Sequence, residues 1–303
     1  MRAVSLLPSA TEMLYSIGVE PIGVSHECDH PPEAQQLPKV VQSRVAPNAS
    51  TSSINEQVQN AESAGGVYTI NRDVLAGLAP DTIVSQGICD VCAVDDSYIH
   101  TAVDQLGIDA EIITTDPHSL SEVITDIERL GEYFDRNEKA AEVVGALEER
   151  ITQLREATPS AQAGPDVAVL DWMDPIMAAG HWVPDIVEIA GATCSINDAN
   201  QASTPCRWQT LQKHDPDVII VAPCGFEIDQ TVDNAKDLAN RPGWNDLTAV
   251  QNERVYIVDG HHYLNRPGPR LLDSLEIIAQ LIHPEIDVLP INSATTTKWP
   301  IGT

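Results

Sequence analysis

Basic side chains are scarce in this chain: 17 Lys and Arg face 45 Asp and Glu among 303 residues, a formal net charge of -28. A field of that sign repels phosphate backbones and anionic membrane surfaces, which excludes nucleic acid as a partner. The acidic residues are scattered over every predicted helix and form no block, so they read as a solvated surface and not as a patch recruiting a cationic ligand. Such a surface suits a salt-rich solution, where the Debye length falls to about 3 Å at 1 M. The chain also lacks any run of about 18 apolar residues, which argues against membrane insertion. No leader is legible at its start, since Pro8 interrupts the apolar run after Leu7 and residues 2–6 predict a first strand. The expected location is therefore cytoplasmic, with an extracytoplasmic one as the alternative if the start is truncated. Six cysteines in that setting are expected to be thiols or metal ligands in preference to disulfides.

What is present is an alternation of strands and helices, which predicts an α/β fold with parallel sheets. Strands are expected at 2–6, 20–24, 81–85 and 110–114, and again at 166–171, 217–221 and 254–258. The S-x-x-E spacing at Ser9–Glu12, Ser53–Glu56 and Ser119–Glu122 predicts three helix starts. From Asn137 to Ala157, Ala140, Val143, Val144, Leu147, Ile151 and Leu154 recur at helical spacing, giving one helix of roughly 30 Å. The Pro- and Gly-bearing stretch 158–165 ends it. The division that results is an N-terminal α/β lobe at 1–118, a helical connector and linker at 119–164, a C-terminal α/β lobe at 165–285, and a loose tail at 286–303. One internal echo relates the lobes. Pro80-Asp81-Thr82-Ile83-Val84 and Pro216-Asp217-Val218-Ile219-Ile220 share a Pro-Asp-x-Ile-aliphatic core, and each runs toward a cysteine, Cys89 or Cys224. Equivalent lobes would set these two cysteines facing each other across a cleft.

Five short blocks rich in Cys, His and aromatics follow predicted strands: residues 25–30, 86–92, 180–184, 223–226 and 259–263. Open α/β sheets bind ligands at the carboxyl ends of their strands, so these loops carry the candidate site. The contacts expected from them are His26, Cys28, Cys89, Asp90, Cys92, His181, Trp182, Cys224, Phe226, His261 and Tyr263, with Arg266 as a donor to a ligand amide or phosphate. Cys28, Cys89 and Cys92 would suit zinc, iron or a similar soft-site metal if their loops converge. Each reading has a plainer rival. A lone C-x-x-C also occurs in ordinary loops, Trp182 could simply pack in its lobe, and Cys224 could be a buried thiol acting as a small hydrophobe. Trp208 reads as core. Of two adjacent histidines, His261 and His262, one at most is expected to face a ligand.

The start Ser5-Leu6-Leu7-Pro8-Ser9-Ala10-Thr11-Glu12, followed by Gly23-Val24-Ser25-His26-Glu27-Cys28-Asp29-His30-Pro31 and a single long helix between two α/β lobes, resembles the class III substrate-binding proteins of ABC importers. The resemblance covers about residues 1–285 and points to the vitamin-B12-binding branch. Residues 89–92, 180–184 and 265–270 are similar to a subgroup without a signal peptide that is named cobalamin-binding by similarity, and the preponderance of Asp resembles proteins of halophilic archaea. The resemblance implies two Rossmann-like lobes and a corrinoid held between them, and the strand-end blocks offer His26, His181 or His261 as the axial group on cobalt. It also implies an importer permease as partner, a role at odds with the cytoplasmic location expected above. A siderophore or haem ligand is the alternative on the same fold. An enzyme using the Cys and His loops ranks last, because no nucleophile, base and orienting acid can be placed.

Overall fold

The computed structural model describes residues 1–88, 94–286 and 295–300. The described residues divide into two compact units. One comprises Met1–Pro47, Ser53–Pro117 and Ser121–Ala146; the other comprises Asn48–Ser52, His118–Leu120 and the residues from Leu147 onward. The division falls inside the long helix, so its first half belongs to one unit and its second half to the other.

The chain opens with β1 (Ala3–Ser5), α1 (Pro8–Ser16), β2 (Gly23–Ser25), β3 (Lys39–Ser43) and α2 (Thr51–Ser63). Then come β4 (Tyr68–Ile70), α3 (Arg72–Leu78), β5 (Thr82–Gln86), α4 (Asp96–Leu106) and β6 (Glu111–Thr115). The first sheet has the order β4-β3-β2-β1-β5-β6. Its core is aliphatic, with Val4, Leu6, Val41, Ile83 and Ile99 among the buried residues. Helices α5 (Leu120–Tyr133) and α6 (Asn137–Ala157) follow.

The second series runs β7 (Val167–Met173), β8 (Ile176–Ala178), α7 (Val183–Ile189), β9 (Thr204–Pro205), α8 (Trp208–His214) and β10 (Val218–Val221). After it come α9 (Ile228–Asp233), α10 (Lys236–Ala239), α11 (Thr248–Gln251), β11 (Val255–Val258), α12 (Leu271–Ile282) and β12 (Thr296–Lys298). The second sheet has the order β12-β11-β10-β7-β8-β9. Every residue of β10 is buried, as a strand covered on both faces requires.

Both sheets are mixed, which corrects the expectation of parallel sheets. Their centres are parallel, but β3–β4, β7–β8, β8–β9 and β11–β12 are antiparallel. The missed edge strands are two or three residues long and carry little apolar alternation, as in Thr204–Pro205 and Thr296–Lys298. The last of them lies in the stretch expected as a loose tail. It pairs with β11, and Trp299 beyond it is buried against Trp244, which in turn stacks on Trp208. Trp208 is core, as expected.

The first capping spacing is not used. Helix α1 starts at Pro8, its cap is Leu7 without a side-chain bond, and Ser9 lies buried inside the first turn, within reach of Gln86 at 3.4 Å. Proline at the first helical position needs no donor and fixes φ, so it sets the cap at Leu7, two residues earlier than Ser9. The Ser53 spacing likewise falls inside α2, which begins at Thr51. The long helix, by contrast, has the predicted bounds.

The internal echo has a structural counterpart. The carboxylate of Asp81 accepts the amide of Arg2 at 2.8 Å, and that of Asp217 accepts the amide of Asp166 at 2.9 Å. In return the amides of Asp81 and Asp217 donate to the carbonyls of Arg2 and Asp166. Each Pro-Asp thus clamps the entry of the neighbouring strand, β1 beside β5 and β7 beside β10.

In the second unit Arg150 on α6 fastens α12. Its guanidinium donates to Glu276 at 2.8 Å through two nitrogens and to Asp273 at 2.6 Å. The hydrogen bonds to Glu276 and Asp273 hold its proton more tightly than usual, against partial burial. Charged hydrogen bonds of this kind are worth roughly 1.5–3 kcal/mol where solvent is reduced. Arg150→Ala is expected to lower unfolding stability by about 2 kcal/mol. A urea midpoint unchanged from the parent would refute it.

Candidate ligand-binding site

In the second unit the loops after β10 and β11 are one construction. Phe226 is 2% exposed, with its ring 5.1 Å from that of Trp172, and its carbonyl accepts the amides of Gly260 and His261 at 3.0 and 3.1 Å. Asn265 donates from its side chain to the carbonyls of Ala222 and Gly260 at 3.0 and 2.9 Å. The Cys224 amide reaches back to the carbonyl of Asp171 at the end of β7. These bonds tie backbone to backbone, so the side chains carried by the loops are held by the sheet and not by their own packing.

Three polar pairs sit on this frame. Asp259 accepts the His261 and His262 amides at 2.9 Å each and lies 2.8 Å from the His262 Nδ1. Burial works to raise the Asp259 pKa, but the bonds from His262 and the two amides prevail and hold it below the usual carboxylate range. His261 stands edge-on to His262, with ring centroids 4.4 Å apart, and its Nε2 is 3.2 Å from Arg266 Nη2. The Arg270 guanidinium lies over the Tyr263 ring at 5.6 Å. The two histidines therefore have different partners, His262 the carboxylate and His261 the guanidinium.

The block after β8 is built on strain. His181 has φ +54, a left-handed conformation unfavourable to a side chain other than glycine. Its amide donates to the Gln201 carbonyl at 2.5 Å and its carbonyl accepts from Asn200. Trp182, 6% exposed, sends its indole N–H to the Leu264 carbonyl at 2.8 Å and so joins this block to the β11 loop. His118 lies here too, with its Nδ1 3.1 Å from the His181 Nδ1.

In the first unit His26 follows β2, with Nδ1 3.2 Å from the Ser25 hydroxyl and Nε2 3.0 Å from the Glu27 carboxylate. Cys28 is buried in a small cluster with Val24 and Ala34, and its sulfur accepts the Thr11 hydroxyl at 3.1 Å. Cys89, Asp90 and Cys92 lie outside the described residues. None of the described cysteines, 28, 194, 206 and 224, is in a disulfide.

Of the expected contacts, His261, Tyr263, Arg266, Cys224 and Phe226 come together on the β10 and β11 loops. His181 and Trp182 join them through Leu264. Within that set Phe226, Trp182 and Arg266 are buried, the last 7% exposed. Cys224 is exposed, so the buried-thiol reading fails for it. Of the adjacent pair, His262 is the one fixed by Asp259. Two residues lie outside the sequence reading, and His118 is the first, although it follows Asp116-Pro117 at a strand end. Asp171 was read only as the last residue of a strand; it is a sealed carboxyl whose Oδ1 has no hydrogen-bond partner and whose Oδ2 accepts the Ser203 hydroxyl.

A family model described as "Periplasmic binding protein" matches residues 4–261. An uncharacterized ABC transporter substrate-binding lipoprotein of Bacillus subtilis is 25% identical over 300 residues, covering 94% of this chain and 80% of that protein. A vitamin B12-binding protein of Vibrio cholerae is 26% identical over 282 residues, covering 91% of this chain and 86% of the relative. Among solved structures, a periplasmic heme binding protein from Pseudomonas aeruginosa superposes with a TM-score of 0.73 at 18% identity, covering 100% of this chain and 99% of the other. The periplasmic vitamin B12 binding protein of Vibrio cholerae gives 0.64 at 23% identity, covering 93% and 96%. Two α/β units, two mixed sheets and one long helix are the fold of class III binding proteins.

Proposed function

The chain belongs to the periplasmic binding protein family, whose members bind solutes and are not enzymes, and on that premise we propose that it carries a metal-centred chelate, a corrinoid first among them. The observation that supports a corrinoid is the similarity to the vitamin B12-binding protein of Vibrio cholerae along 91% of this chain. The β10 and β11 loops supply chemistry suited to such a ligand. An imidazole at His261, oriented by Arg266, can coordinate cobalt, and Tyr263 offers a flat face and a hydroxyl. A ferric siderophore or haem on the same fold is the outcome that would displace this reading.

Hydroxocobalamin titrated into the protein is expected to shift its visible bands as a protein nitrogen replaces water on cobalt. His261→Ala should abolish the shift while leaving the thermal midpoint near the parent's. Calorimetry showing no corrinoid binding at micromolar protein, together with binding of hemin or a ferric hydroxamate, would overturn the corrinoid assignment and leave the family standing. Delivery to an ABC permease and carriage within the cytoplasm are separated by cell fractionation. We propose the cytoplasmic carrier, and recovery of the protein on the outer face of the membrane would replace it with permease docking.

A further inference from the structure

We propose that His118 and His181 form a two-imidazole site for one divalent first-row transition-metal ion, separate from the corrinoid reading and independent of it. Their Nδ1 atoms are 3.1 Å apart. Two nitrogens bound at about 2.0–2.1 Å to one metal stand about 2.9 Å apart at a right angle and about 3.4 Å apart at a tetrahedral one. The observed separation lies inside that interval.

The backbones that carry the two rings are fixed separately, which is what a preorganised site requires. His181 is held in the left-handed region by the Gln201 and Asn200 backbone bonds. Such a conformation persists only where its surroundings over-determine it, and it gathers at functional positions. The segment bearing His118 is pinned two residues later, where the Leu120 amide donates to the Asp185 carboxylate at 3.1 Å. Trp182, anchored to Leu264, presents its ring 5.6 Å from the His181 ring and limits that imidazole's rotation.

The geometry also says which metal species fits. Two imidazoles this close need two cis positions on the metal. A corrin or porphyrin occupies the four equatorial positions and leaves only two trans ones, so a tetrapyrrole cannot satisfy the pair. A free aquo ion can. Imidazole selects nickel, copper, cobalt or zinc over magnesium and calcium, which prefer oxygen. With the metal absent one Nδ1 donates to the other; for both to coordinate, that proton moves to the ring's own Nε2 through solvent.

The test is titration of the full chain with Ni2+ in excess Mg2+, followed by calorimetry, and with Co2+, followed by its visible d–d bands. The parent protein is expected to bind one Ni2+ at this pair, and His118→Gln and His181→Asn, which each remove a ligand, should each weaken that site by at least the roughly 100-fold that loss of an outer-shell partner reaches. Asn is used at 181 because it tolerates positive φ. The Co2+ bands should move toward oxygen-only ligation in both variants, and circular dichroism melts verify that each remains folded. Ni2+ binding equal in the parent and both folded variants, or displaced by Mg2+, would overturn the site, as would a parent that binds no Ni2+.

Discussion

Replacing Gly260 by alanine is expected to lower unfolding stability by about 3 kcal/mol, the upper range for forcing atoms into a packed site, and to weaken the corrinoid binding proposed for the β10 and β11 loops with it. A Cβ on Gly260 would fall 2.2 Å from the Pro223 carbonyl oxygen and 2.8 Å from the Ala222 carbonyl. Those atoms are backbone at the exit of β10, a fully buried strand, so they cannot yield as a side-chain tip would. The loops would have to separate, which would break the Phe226 and Asn265 bonds that hold His261 in place. Gly225 supplies the control on the same loop. Its φ is +79, but a Cβ there meets nothing within 4 Å, so Gly225→Ala should cost only the left-handed strain of about 1–2 kcal/mol. Urea unfolding of the two variants measures the difference. A Gly260→Ala protein as stable as Gly225→Ala would refute the backbone-on-backbone account of the site.

The periodic and buried parts of this chain were legible in its sequence because one physical signal dominates each. Helix α6 shows apolar residues at helical spacing, and residues 218–221 show a β-branched run after Pro216-Asp217. The Pro-Asp echo was legible as well, and the reciprocal bonds of Asp81 and Asp217 give its reason: a carboxylate is needed to cap the neighbouring strand's first amide. Ser9 misled because a capping spacing cannot say whether its serine will be solvated, and here the serine is core. The antiparallel edges were not legible, since two or three residues such as Thr204–Pro205 take their strand character from the neighbour they meet and not from their own pattern.

That these strand-end loops lie together was legible; what each side chain in the candidate site contacts was not. Strand-end position brought out His181, Cys224, His261 and Tyr263 together, yet it could not tell a supporting Phe226 from an exposed Cys224, which depends on packing from other elements. The recruitment of His118–Leu120 and Asn48–Ser52 into the second unit left no local trace at all. It rests on long-range bonds, Leu120 to Asp185 and His118 to His181 for one segment, and the Thr51 hydroxyl to Asp237 and Gln230 to the Ala49 carbonyl for the other.

Asp171 carries the remaining large effect, and its sign is opposite to that of an ordinary paired carboxylate. Burial raises its pKa from 3.8 to about 6, and the hydrogen bond from Ser203 lowers it only in part. Its Oδ1 has no partner, so ionisation places charge on a sealed, unsolvated atom. A carboxyl whose folded pKa is raised binds its proton more tightly folded than unfolded. Its contribution is therefore most favourable below the unfolded value near 3.8, declines as pH rises, and is fully lost above about 6. About two pKa units at about 1.4 kcal/mol each set the loss at about 3 kcal/mol. Asparagine cannot ionise and is nearly isosteric with the protonated acid, so Asp171→Asn should match the parent at pH 4 and exceed its stability by about 2–3 kcal/mol at pH 8. Asp126 shifts the same way, to about 6, under burial that Arg129 at 3.3 Å offsets in part, and it is unchanged in both proteins. Urea unfolding at the two pH values reads the difference directly. Parallel stability curves for parent and variant would show that Asp171 ionises in the folded protein without penalty.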